Sequence, residues 1–143
     1  MFQYYFPVIF VIAFNTIYHI CAKHIPGNAN PLALLVVTYL IAACTSFVLF
    51  VATTGGKLSL TEQIKTLTWA PVLLGFAIVA LEFGFILIYR AGWNISLASL
   101  VCNAAMAMIL IVIGLMIYKE SINSSQVAGI FLCLAGLILI NKP

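Results

Sequence analysis

Apolar residues gather in five long blocks along the chain, and each block ends at a short stretch rich in glycine, proline, asparagine or charge. The first runs from about Tyr4 to Ala22 and is interrupted by Asn15, Thr16 and His19. It gives way to KHIPGNANP at Lys23–Pro31, where two prolines, a glycine and two asparagines spell a turn. The second block, about Leu32 to Thr53, stops at Gly55-Gly56. The third covers about Trp69 to Tyr89, with Pro71 in its first turn, where a missing N–H does little harm. The fourth and fifth run from about Ile95 to Tyr118 and from about Ser125 to Asn141. These runs are continuous and do not alternate, so they read as helices and exclude a membrane β-barrel. A helix crosses the hydrocarbon core with about 20 mainly apolar residues. The pattern predicts an all-α integral membrane protein, a single domain over residues 1–143 with transmembrane helices near 4–22, 32–53, 69–89, 95–118 and 125–141.

The connections add detail. Lys57–Thr68 is the one sizeable polar stretch, and Ser59 followed by Glu62 predicts a capped interfacial helical turn. Arg90–Asn94 is so short that the third and fourth blocks are expected to form an antiparallel hairpin. Tyr4, Tyr5, Trp69, Trp93 and Tyr118 sit at block ends, where amphipathic rings favour the headgroup level. The N-terminus lacks the basic region of a signal peptide, so the first block is expected to remain as a helix.

Composition agrees with this picture. Of 143 residues 65% are apolar and 6% charged, more apolar surface than a soluble domain can hide. The net charge of +3 comes from six dispersed Lys and Arg, which excludes the clustered basic surface that nucleic acid requires. The four cysteines, Cys21, Cys44, Cys102 and Cys133, have no CxxC spacing and read as small packing residues. No metal or cofactor is implied. There is no aspartate and no Ser/His/Asp arrangement, so no enzyme is expected.

Orientation in a membrane follows the loop with more Lys and Arg. Five spans would put Lys57, Lys65 and Lys119 on one side and Lys23, Arg90 and Lys142 on the other. Three against three gives no instruction. Either subtler signals choose one topology, or both orientations are made and pair as an antiparallel dimer.

Three stretches resemble the drug/metabolite transporter superfamily in its EamA-type branch. They are YHICAKHIPGNANPLALLVVTYLIA at Tyr18–Ala42, YRAGWNISLASLV at Tyr89–Val101, and YKESINSSQVAGIFLCLAGLILI from Tyr118, with its Glu120. Full-length members have ten helices in two inverted five-helix repeats, and this chain resembles one repeat. The resemblance implies one inverted-repeat half of a ten-helix fold, completed by a second copy (an antiparallel homodimer) or by a homologous sister chain. It implies a small organic solute moved by alternating access, with the site at the repeat interface near the midplane. The setting implied is a cell membrane, the bacterial inner membrane. The expected rivals are a subunit of a lipid or lipid-linked sugar flippase, and a membrane scaffold that transports nothing.

Glu82, in VALEFGFIL, is the outstanding candidate for chemistry. It lies roughly 16 Å along its helix from Pro71 and roughly 12 Å from Arg90. An ionised carboxylate at that depth costs several kcal/mol unless it is paired, wet or protonated. It is therefore either a proton-coupling or cation-binding group, or a structural carboxylic acid hydrogen-bonded to a neighbouring helix. This role is not carried over from the resemblance. The small multidrug resistance relatives place their essential glutamate in the first helix, where this chain has Asn15 and His19. Asn15, Tyr18 and His19 fall on one helix face and are candidates to line the substrate cavity or to relay protons, with His19 alternatively an interfacial histidine near Lys23. Ser96, Ser99, Asn103, Met106, Leu110 and Gly114 form a stripe that either lines a cavity, with Asn103 the candidate, or packs against a helix. Gly129, Cys133 and Gly136 let helices approach closely, either in a dimer like that of the small multidrug resistance proteins or within one chain. Lys119 and Glu120 read as a solvated helix-end pair.

Overall fold

A computed structural model describes residues 2–119, 121 and 123–140. Glu120, Asn141 and Lys142, named above, lie outside the described residues. The described chain folds as six helices and no strand: α1 (Phe2–Lys23), α2 (Pro31–Thr54), α3 (Leu60–Lys65), α4 (Ala70–Arg90), α5 (Ile95–Met116) and α6 (Ser124–Ile140). Four of them, Gln3–Lys23, Pro31–Thr54, Ala70–Arg90 and Ile95–Met116, are long and apolar enough to cross a membrane. With 17 residues, α6 is apolar but shorter.

Local chemistry sets the helix ends. Asn30 is extended and its Oδ1 accepts from the Leu32 N–H at 2.9 Å and the Ala33 N–H at 3.4 Å, while Pro31 occupies the first turn of α2. At the other end of α2, Gly55 takes the left-handed conformation (φ 59°) that closes a helix and that other residues resist. The short connection after α4 turns on Gly92 at φ 94°. Ser59 does precede a helical turn, α3, but its side chain makes no cap bond, so the expected reciprocal cap is not formed there. The reciprocal contact occurs before α6 instead, where Gln126 Oε1 accepts from the Asn123 N–H at 2.8 Å. A glutamine three residues after an asparagine carried that signal.

The helices have almost no inside. Between 6% and 11% of the residues in each apolar window are buried, and bulky side chains such as Phe10, Leu40, Phe76 and Ile109 stand more than half exposed. In water such a surface would associate, whereas in lipid tails it is solvated. The threonines of α1 and α2 show the same adaptation: Thr16, Thr38, Thr45, Thr53 and Thr54 each donate to the carbonyl four residues back, at 2.7 to 3.0 Å. Their hydroxyls therefore face lipid already satisfied.

The described residues fall into two compact units, those within 1–20 and 92–140, and those within 21–91. In the first, α5 packs on α6. In the second, α2 packs on α4, and the buried side chains Ala22, Leu35, Ile86 and Tyr89 gather at the end where Arg90 meets the 24–30 loop.

Candidate functional site

The site grows from a fastening at one end of α2 and α4. The Arg90 guanidinium, through Nη2, donates to the carbonyls of Pro26 (3.1 Å) and Ala29. The last residue of α4 is thereby tied to the turn that starts α2, which fixes the register of the two helices. One turn inward from that fastening, Leu35 of α2 and Ile86 of α4 are both nearly closed off, at 4% and 3% exposure. One further turn inward come Tyr39 and Glu82. Each is eight residues from its helix end, about 12 Å, so the two reach the same depth.

Tyr39 and Glu82 are close enough to interact across the α2–α4 packing. The Tyr39 hydroxyl oxygen is buried, yet no hydrogen bond of proper geometry forms to it. Glu82 is half-buried and makes no ion pair among the described residues. A carboxyl group and a phenol thus share one apolar interior at mid-helix, with hydrogen-bonding capacity left over. From Glu82 the face of α4 continues through Val79, Ile78 and Gly75 to Pro71, and these residues with Tyr39 line a groove of about 470 Å³. Phe76 and Val72 on its edge are 72% and 64% exposed, so the groove opens to the outside of the helix pair. Chemically the pair can take up and release a proton, or accept the N–H groups of an amine against the tyrosine ring.

Other predicted candidates are placed differently. Asn15 is exposed, while His19 is buried at 6% exposure with the Tyr18 ring edge-on to it at 5.1 Å. Asn103, Met106 and Leu110 are exposed on α5. On α5, Ala104, Ala107, Met108 and Ile111 line a cleft beside α6, and Gly114 of the Asn103 stripe is buried. Gly129 and Cys133 line the small cleft opposite them, but a methyl group added at Gly129 or Gly136 would meet nothing within 4 Å. Among the described residues, therefore, no neighbour presses on either glycine. Tyr39 was not foreseen. The signal was its distance from Pro31, which matches that of Glu82 from Arg90 and acquires meaning once those two ends are joined. Among the described residues no group of three His, Cys or Glu could hold a metal ion.

Comparison with known families decides the identity. The EamA-like transporter family matches residues 4–142, nearly the whole chain and every residue of the site. The chain belongs to the EamA-like transporter family. It is accordingly a multi-pass membrane protein of the drug/metabolite transporter superfamily. No curated protein and no solved structure gives a match. In this EamA-like chain, then, the Tyr39–Glu82 pair lies within a transporter scaffold.

Proposed function

We propose that this EamA-like chain moves a small organic solute across the membrane by alternating access, as one of two inverted halves in an antiparallel pair. The observation that carries this reading is the Tyr39–Glu82 pair: a carboxyl group with no counter-ion among the described residues, at mid-helix depth, beside a buried hydroxyl with unused hydrogen-bonding capacity. Such groups are costly in lipid and persist where a pathway uses them. Glu82 couples a proton or binds the positively charged end of the solute, and Asn15 and Asn103, both exposed on the single chain, are further polar groups for the solute. Helix α6 serves as a fifth span, since its 17 residues reach about 25 Å, the lower end of what the core requires. Balanced loop charges allow a second copy of the same chain to supply the inverted half.

The outward-opening groove beside Tyr39 favours a second reading, movement of a lipid or lipid-linked solute with its tail left in the bilayer. One experiment separates them. The full chain is reconstituted in liposomes and offered a panel of cationic, neutral and anionic organic solutes under an imposed pH gradient, with labelled lipids assayed in parallel. Gradient-driven solute uptake supports the first reading. Lipid translocation without solute uptake supports the second, and activity toward neither would leave a scaffold.

A further inference from the structure

A second concave site lies at the membrane-surface end of the same helix pair and is not used by the reading above. It occupies about 220 Å³ and is lined by Ala22, Lys23, Ile25, Gly27, Ile86, Tyr89 and Arg90. Its floor is apolar, because Ala22 and Ile86 are buried at 7% and 3% exposure. Its rim is cationic. Lys23 Nζ stands 5.6 Å from the centre of the Tyr89 ring, which holds the ammonium over the pocket. The guanidinium of Arg90 spends only Nη2 on the carbonyls of Pro26 and Ala29, and that contact orients the rest of the fork. Its Nε and Nη1 make no hydrogen bond among the described residues.

Local charge favours an anion. Lys23 and Arg90 end α1 and α4, so each offsets the roughly half negative charge of a helix C-terminus. Two full positive charges against two halves leave the site net positive, and the N-terminus of α2 adds to it. None of the residues that line the pocket is acidic. Glu82 is about 12 Å away along α4, and Glu62, the other acid of this unit, lies beyond the far end of α2, about 36 Å off. The loop residues 24–30 carry no acid, and Gly27 leaves the mouth clear, with nothing within 4 Å of where a side chain would start. An arginine fork beside a lysine is suited to phosphate oxygens, and basic pockets between helices at the surface suit lipid headgroups.

We infer that the pocket formed by Lys23, Gly27, Tyr89 and Arg90 binds a phosphate group, that of an anionic lipid headgroup in the adjoining leaflet. The full chain in micelles containing equal amounts of phosphatidylglycerol and phosphatidylcholine tests it, read as the lipid retained in native mass spectrometry. Two cations near one phosphate give a preference of about 30-fold for phosphatidylglycerol, and Lys23→Gln lowers it about fivefold. Lys23→Arg keeps the preference. Gly27→Glu, at an exposed loop position with room for a side chain, abolishes it while leaving the helical circular dichroism unchanged. Arg90 is left intact because it also fastens the loop. Equal retention of both lipids by the unmodified chain overturns the inference, as does a preference that survives both Lys23→Gln and Gly27→Glu. Displacement of the lipid by an equal concentration of inorganic phosphate overturns the lipid as source and assigns the pocket to a soluble phosphate compound.

Discussion

Tyr39→Phe removes one oxygen from the α2–α4 interior and should move stability and transport in opposite directions. The hydroxyl is buried and forms no hydrogen bond of proper geometry, although Glu82 is near. A buried hydroxyl left unsatisfied costs about 1–3 kcal/mol, and replacing it by hydrogen recovers part of that without opening a cavity. The ring stays in place, so the groove keeps its wall. The variant should therefore be as stable as the parent or more stable, by up to about 1 kcal/mol. Transport should fall, because the phenol can no longer pass a hydrogen bond to Glu82 or to a solute beside it. Unfolding in mixed micelles of increasing sodium dodecyl sulfate, followed by circular dichroism, gives the first quantity, and liposome uptake gives the second. A loss of stability greater than about 1 kcal/mol, with transport intact, would refute the reasoning. It would mean that the hydroxyl is bonded to Glu82 at rest and serves only to hold α2 against α4.

Three further outcomes follow from the structure. Asn30→Ala removes the two side-chain bonds that start α2 and should cost about 1 kcal/mol in the same unfolding experiment, with an unchanged value refuting the cap. Gly129→Leu and Gly136→Leu should leave the single chain folded, since neither position is crowded, yet lower the dimer fraction in detergent. An unchanged dimer fraction would move the interface to other helices. A reporter fused at the C-terminus should give signal from both sides of the membrane, and lysines added beside Lys57 should confine it to one side. Signal from one side alone in the unmodified chain would replace the homodimer by a sister chain.

The helical, membrane-spanning character was legible because it rests on continuous apolar runs, and the breaks between them on residues with local preferences. Pro31, Gly55 and Gly92 act through their own backbone, which a single sequence reveals. Glu82 was legible for a similar reason, since a lone charge in an apolar run needs no partner to be noticed. Its neighbour Tyr39 was not, because tyrosine is ordinary in such a helix and its meaning depends on the register set by Arg90 and the 24–30 loop. The side-chain cap expected at Ser59 failed where α3 is only six residues long and fully exposed, so little holds the serine in cap geometry. Which residues of α5 line the cleft beside α6 was also out of reach. Ala104, Ala107 and Met108 carry a pattern no stronger than that of the neighbouring Asn103 stripe.

Glu82→Gln tests the account most directly. Glutamine keeps the size of the side chain and can still donate and accept hydrogen bonds, but it cannot release and rebind a proton. The variant, reconstituted beside the parent with the same insertion and the same dimer fraction, is assayed for solute uptake driven by a pH gradient. Gradient-driven uptake is expected to be lost while the protein remains folded and associated. Full uptake by Glu82→Gln would contradict it and leave Glu82 a structural group between α2 and α4.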